Sequence, residues 1–271
     1  MIKAHMLRLA FTISCVTPCA LAAQLPALQR AETGFLDRTV TVAGRSYHYQ
    51  VYVPSMYTAA QQWPVILFLH GAGERGSDGL LQTNVGLGAA IRSDPSRYPA
   101  LVVFPQAPAD SLWTGVPGQI AMAALDATLR EFHTDPERVY LTGWSMGGSG
   151  TWYLAYRYPD RFAAVAPISG YVSSALRWLG GRSPVVPPDS GPPFAPLARR
   201  VARVPAWIFH GEADRVVPVA ESRQAAEALR AAGGEARYTE VLGGSHNIWD
   251  EVYASTQFQS WLFAHRRTAR N

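Results

Sequence analysis

The 271-residue sequence carries 24 Lys+Arg against 20 Asp+Glu, a formal charge of +4, with 48% hydrophobic and 16% charged residues. That balance suits an α/β chain long enough to bury a full core. The arginines are scattered, with no stripe of interleaved basic and aromatic residues, so no nucleic-acid partner is expected. Lys3 is the only lysine, and Cys15 and Cys19 are the only cysteines.

Met1–Ala22 joins a positive start (Lys3, His5, Arg8) to a short apolar segment and an Ala-x-Ala ending. This is the pattern of a secretory signal peptide, with the mature chain beginning near Ala23 and exported to the periplasm or medium. The apolar part, broken by Pro18, is too short for a membrane span, and neither cysteine sits in a lipobox-like context, so no stable membrane anchor is expected. Beyond the signal the chain has no thiol and no lysine. Cysteine nucleophiles, disulfides, Cys-based zinc sites and lysine Schiff bases are thereby excluded from the mature chain.

Residues 23–271 read as one catalytic domain. "RTVTVAGRSYHYQVYVP" predicts two strands joined at Ala43-Gly44. "PVILFLHG" (64–71) and "ALVVFPQA" (100–107) are continuous apolar runs, suited to strands buried on both faces. Met122, Leu125, Leu129 and Phe132 fall at helical spacing over 118–133. "RVYLTGWS" predicts another buried strand, followed by a helix that Pro159 closes. "FAAVAPISG" (162–170) and "PAWIFHGEAD" (205–214) predict further strands. A helix then runs to Gly233-Gly234, "ARYTEVLGG" is the last strand, and "WDEVYASTQFQSWLFAHRR" is the last helix. The segment 180–198, rich in Pro and Gly, is expected to form no regular element, as a plain loop or a cap over the site. Strand–helix alternation from residue 64 implies a mostly parallel sheet of about eight strands with helices on both faces.

Gly143-Trp144-Ser145-Met146-Gly147 fits the G-x-S-x-G nucleophile elbow, in which a strained strand-to-helix turn lifts a serine above the sheet. A serine needs a base and an orienting carboxylate, in the chain order Ser, acid, His. After Ser145 the histidines are His210, His246 and His265. His210 precedes the acid and is expected to pack or hydrogen-bond its turn; His265 is expected to be exposed in the terminal helix. His246, on a loop directly after a strand, is the candidate base. Glu212, Asp214 and Asp250 are the candidate acids. Asp214 is preferred because it follows a strand by four residues, whereas Asp250 is placed to begin the last helix. The loop "HGAGERGSDG" after the 64–70 strand is expected to turn an N–H of Ala72 or Gly73 toward a developing oxyanion, beside that of Met146. His70 is expected to brace this loop, and Glu74 and Arg75 to pair with each other or, as the alternative, to meet a polar substrate group.

Together "LFLHGAGERGSD", "FPQAP", "VYLTGWSMGGSGTW", "PDRFAAVAPISG", "WIFHGEADRVVPV" and "GGSHNIWDEVY" resemble the α/β-hydrolase serine esterases of the predicted-peptidase and carboxylesterase group, relatives of polyhydroxybutyrate depolymerases and feruloyl esterases. The resemblance covers about residues 35–265. It implies the α/β-hydrolase fold and a Ser–Asp–His triad at Ser145, Asp214 and His246, with no metal or organic cofactor.

The expected activity is hydrolysis of carboxylic esters through an acyl-enzyme, on a small-molecule or polymer ester substrate whose acyl group is small or aromatic. The alternatives are a peptidase acting on short peptides, a polyester depolymerase, and a non-catalytic binding protein of the same fold. Trp113, Trp144, Tyr171 and Trp249 lie near predicted loop edges, where they offer apolar faces to substrate. Nothing in the pattern specifies an oligomeric state.

Overall fold

A computed structural model describes residues 31–173, 185–187 and 190–267. The signal-peptide reading of residues 1–22 lies outside the described residues.

Among the described residues, eight strands form one sheet in the order β1-β2-β4-β3-β5-β6-β7-β8. They are β1 Gly34–Val42, β2 Arg45–Val53, β3 Trp63–Leu69, β4 Leu101–Pro105, β5 Thr134–Trp144, β6 Ala164–Ile168, β7 Ala206–Gly211 and β8 Ala236–Val241. β1 and β2 pair antiparallel across the Ala43-Gly44 turn, whose φ values of 48° and 76° give the type I′ geometry that matches strand twist. β2 meets β4 antiparallel, and all later pairs are parallel. Such strands bury both faces, which is why β3, β4, β6 and β7 are buried along their whole length and read as unbroken apolar runs.

Among the described residues, seven α-helices flank the sheet: α1 Leu87–Ser93, α2 Val116–Glu131, α3 Met146–Arg157, α4 Phe194–Val201, α5 Ala220–Ala231, α6 Trp249–Ala254 and α7 Thr256–Ala264. Alternation along β3 divides the core in two. Val65, Leu67 and Leu69 pack with residues of α2, α3, α4 and α5. Ile66 and Phe68 face the other way and pack with α1, α6 and α7.

Three expectations need correction. The terminal helix is two helices, because Ser255 adopts an extended backbone and its Oγ caps the Phe258 amide at 3.4 Å. The 180–198 segment is not without regular structure at its end, since α4 begins at Phe194; Pro193 precedes its first turn and Pro196 lies within it, where proline costs no internal hydrogen bond. Residues 180–184 and 188–189 of that segment lie outside the described residues. Helix α1 had no counterpart among the predicted elements. The Gly233-Gly234 stop is seen in detail: Gly233 has φ 76°, its amide bonds Arg230 O at 3.0 Å, and that of Gly234 bonds Leu229 O at 2.9 Å, a Schellman closure of α5.

Candidate active site

β5 ends against α3 at Ser145, and the turn between them is so tight that its neighbours must be glycine. A Cβ on Gly143 would lie 2.5 Å from Leu69 O, and one on Gly147 would lie 1.9 Å from the same oxygen. Ser145 itself has φ 54° and ψ −116°, a costly conformation for a residue with a Cβ. Its amide is anchored to Ile168 O at 2.9 Å. This geometry leaves the hydroxyl at the carboxyl edge of the sheet, at the N-terminus of α3 and its positive dipole end.

The loops after β7 and β8 bring two more side chains there. Asp214 Oδ2 accepts the Nδ1–H of His246 at 2.7 Å, which leaves Nε2 of His246 as acceptor, 2.8 Å from Ser145 Oγ. Oδ1 accepts the amides of Val216 at 2.8 Å and Val217 at 2.9 Å, in a turn closed by its own aspartate. The Asp214 side chain has no solvent exposure, against 17% for His246. Burial alone would raise the Asp214 carboxyl, but hydrogen bonds from His210, His246 and the Val217 and Val216 amides outweigh it and hold the group well below the usual carboxylate range. Ser145, Asp214 and His246, drawn from three loops, thus form one continuous hydrogen-bonded line. The other two acid candidates stand apart: Glu212 accepts the Gly243 amide at 2.9 Å, and Asp250 lies exposed in the first turn of α6.

Several residues around the line were not singled out as site residues by sequence. Ser169, with φ 47°, donates its hydroxyl to His246 O at 2.9 Å and so anchors the backbone of His246. Glu221, buried in the first turn of α5, accepts the amides of Val172 at 2.8 Å and Ser173 at 2.9 Å, together with the Ser173 hydroxyl. Spacing within α5 gives no hint of that contact. His210, expected to pack or hydrogen-bond its own turn, meets that turn through Nε2, 3.1 Å from Val217 O, while its Nδ1 reaches Ser222 Oγ of α5 at 2.7 Å.

His70 braces the loop after β3. It donates Nδ1–H to Gly71 O at 2.6 Å, accepts the Ala107 amide at 2.9 Å, and is held neutral by burial, down to about 4. Gln106 ties the same loop to β4 through Glu74 O, Asp78 Oδ1 and the Gly79 amide. Glu74 and Arg75 do not pair. Arg75 turns back to Ala72 O at 2.9 Å and across to Ser111 O at 3.3 Å, while burial raises the Glu74 carboxyl and leaves its Oε2 without a partner. His265 is not an exposed helix residue either; it ends α7 with Nδ1 bonded to Trp261 O at 2.7 Å and its side chain 16% exposed.

A cavity of about 340 Å³ opens beside Ser145, lined by Ala72, Arg75, Leu112, Met146, Tyr171, Val216 and Val217. Of the four aromatic candidates, Tyr171 lies on its wall, its phenol pushed up to about 12 by burial and therefore neutral. Trp113 is buried beneath the loop, donating to His70 O at 2.9 Å. Trp144 stacks on Trp249 at 3.8 Å, and Trp249 sets its face edge-on to His246 at 5.8 Å. These three do not line the cavity. Of the expected oxyanion donors, Met146 and Ala72 border it and Gly73 does not. Among the described residues no group of three or more His, Cys, Asp or Glu side chains is placed to hold a metal ion.

The family described as "Putative esterase" matches residues 125–267. A poly(3-hydroxyoctanoate) depolymerase of Pseudomonas fluorescens is 30% identical over 224 residues, which are 75% of this chain and 74% of the depolymerase. An uncharacterized secreted protein of Arthroderma benhamiae is 28% identical over 208 residues, 68% of this chain but 21% of that protein. A thermostable esterase of known structure superposes with a TM-score of 0.73 at 30% identity, over 86% of this chain and 63% of that one. The chain belongs to this esterase family, a group of carboxylic-ester hydrolases with the α/β-hydrolase fold. It spans only part of the length of several of these relatives.

Proposed function

We propose that this chain hydrolyses carboxylic esters through a covalent acyl-enzyme on Ser145. The observation that carries the reading is the unbroken line from Ser145 Oγ through the His246 imidazole to a buried carboxylate, with contacts of 2.8 and 2.7 Å. Nε2 of His246 takes the hydroxyl proton as Oγ bonds to the ester carbonyl carbon. The resulting oxyanion is stabilised by the amide of Met146, which has no intrahelical acceptor at the start of α3, together with an amide of the Ala72–Gly73 turn. The imidazolium returns the proton to the departing alcohol oxygen as the C–O bond breaks. Water then repeats the sequence on the acyl-enzyme, releasing the acid and restoring Ser145. Asp214 remains ionised throughout, fixing the tautomer of His246 and stabilising its cation.

Two features support substrates with an apolar arm: the mostly apolar cavity wall, and the kinship to a poly(3-hydroxyoctanoate) depolymerase. The composition of Met1–Ala22 and a secreted relative support export. Among the described residues no helix is long and apolar enough to cross a membrane.

Labelling with a fluorophosphonate tests the nucleophile directly. Mass spectrometry is expected to find one adduct, on the peptide containing Ser145, and none in Ser145→Ala. An adduct on any other residue, or no adduct on an active preparation, overturns the assignment.

A further inference from the structure

The cavity beside Ser145 carries a feature that ester hydrolysis does not require. Its described lining is apolar apart from the hydroxyls of Ser145 and Tyr171 and the guanidinium of Arg75. A guanidinium has five N–H donors. Nε–H is given to Ala72 O at 2.9 Å and one Nη1–H to Ser111 O at 3.3 Å, both backbone carbonyls. Among the described residues no carboxylate lies within ion-pair distance of Arg75, although Arg38, Arg97, Arg138, Arg161, Arg223 and Arg266 all have one. Its neighbour Glu74, the nearest anion in sequence, is turned aside and does not line the cavity. The two backbone bonds fix the side chain in place, so it meets a ligand already oriented. A cation in apolar walls, with donors to spare, is matched by an anion that brings two acceptors in one plane.

His246 does not line this cavity, whereas Met146 and Ala72 do. The alcohol of the ester must leave past His246 to receive its proton, so the arm that fills the cavity is the acyl arm. We propose that Arg75 is a specificity-determining residue that binds a carboxylate at the far end of the acyl chain. The preferred substrates are then half-esters of dicarboxylic acids. This inference rests on the esterase reading of Ser145.

The test compares kcat/KM on the mono-p-nitrophenyl esters of adipic and suberic acids with that on p-nitrophenyl hexanoate and octanoate, for wild type, Arg75→Gln and Arg75→Lys. The four esters share a leaving group, so each acid-to-neutral ratio at equal chain length isolates the distal carboxylate. Any general loss caused by disturbing the 72–75 turn cancels in that ratio. Wild type is expected to favour at least one half-ester over its neutral counterpart by about tenfold or more, the effect of a charge-assisted hydrogen bond. Added salt should reduce the preference, Arg75→Gln should abolish it, and Arg75→Lys should keep part of it. A wild-type preference for both neutral esters, or a ratio unchanged in Arg75→Gln, overturns the role of Arg75 and leaves the esterase reading standing. Failure of wild type to hydrolyse any of the four esters overturns both.

Discussion

His210 and Asp214 are joined across the end of β7. Nε2 of His210 lies 3.1 Å from Asp214 Oδ2, the same oxygen that accepts Nδ1–H of His246, and both side chains are fully buried. The carboxylate therefore sits between two imidazoles, of which one reaches Ser145 and the other anchors the acid to Ser222 and Val217.

The two imidazoles should respond differently to substitution. Asp214→Asn removes the charge that sets the tautomer of His246, and kcat is expected to fall by roughly 10⁴-fold. His210→Gln strips a buried bond from a carboxylate that keeps its other partners. It is expected to cost about 1–3 kcal/mol of stability and far less activity than Asp214→Asn. Urea denaturation and steady-state rates on both variants check the pair.

Glu221 gives a prediction about the cavity wall. Its carboxylate collects the amides of Val172 and Ser173 and the Ser173 hydroxyl, directly after Tyr171. Glu221→Ala leaves those donors unmatched, which should cost about 2–4 kcal/mol and raise KM as Tyr171 loses its support. Glu221→Gln keeps an acceptor and should lie between the two. Thermal denaturation and KM on a neutral ester measure both effects.

Among the groups that shape the pH dependence of stability, His70 and Asp214 lie buried beside the site and lose their contribution in acid, while the raised Glu74 carboxyl acts in the opposite sense. Burial holds His70 neutral down to about 4 from an ordinary 6.5. Between those values the unfolded chain binds a proton that the folded chain does not, so stability falls as pH drops through this window, by about 3 kcal/mol in all. The Asp214 carboxyl is depressed on folding, so its contribution is complete above its ordinary value of 3.8 and is lost only in stronger acid. The urea midpoint is expected to decline from pH 7 to pH 4.5, with a shallower decline in His70→Gln. An equal decline in both proteins contradicts the role given to His70.

The elbow glycines allow the most direct steric test. Gly147→Ala places a methyl 1.9 Å from the carbonyl oxygen of Leu69, against strand backbone that has little room to move. The expected cost is about 3 kcal/mol or more, with loss of activity as Ser145 shifts. Denaturation curves on Gly147→Ala report the first effect and ester turnover the second.

What the sequence reveals and what it hides follow one physical division. The parallel strands are readable because burial on both faces demands unbroken apolar runs such as that of β3. Ser145 is readable because a strained turn demands glycines at fixed offsets, and Asp214 and His246 because both follow strands on one edge of the sheet. The break at Ser255 is hidden, since a serine caps a helix only if the backbone departs from helix there, and the flanking residues keep a helical pattern. Helix α4 is hidden by prolines whose placement at a helix start matters more than their number. The Ser111 contact of Arg75 and the partners of Glu221 and Ser169 come from distant segments, and no local pattern encodes them.

The rate of p-nitrophenyl butyrate hydrolysis by the wild-type protein and by Ser145→Ala is the measurement that decides most. Wild type is expected to turn over and the variant to lose roughly a thousandfold or more in kcat, with its fold intact by circular dichroism. Equal rates in the two proteins would show that Ser145 is not the nucleophile and would contradict the catalytic role assigned to the line from Ser145 through His246 to Asp214.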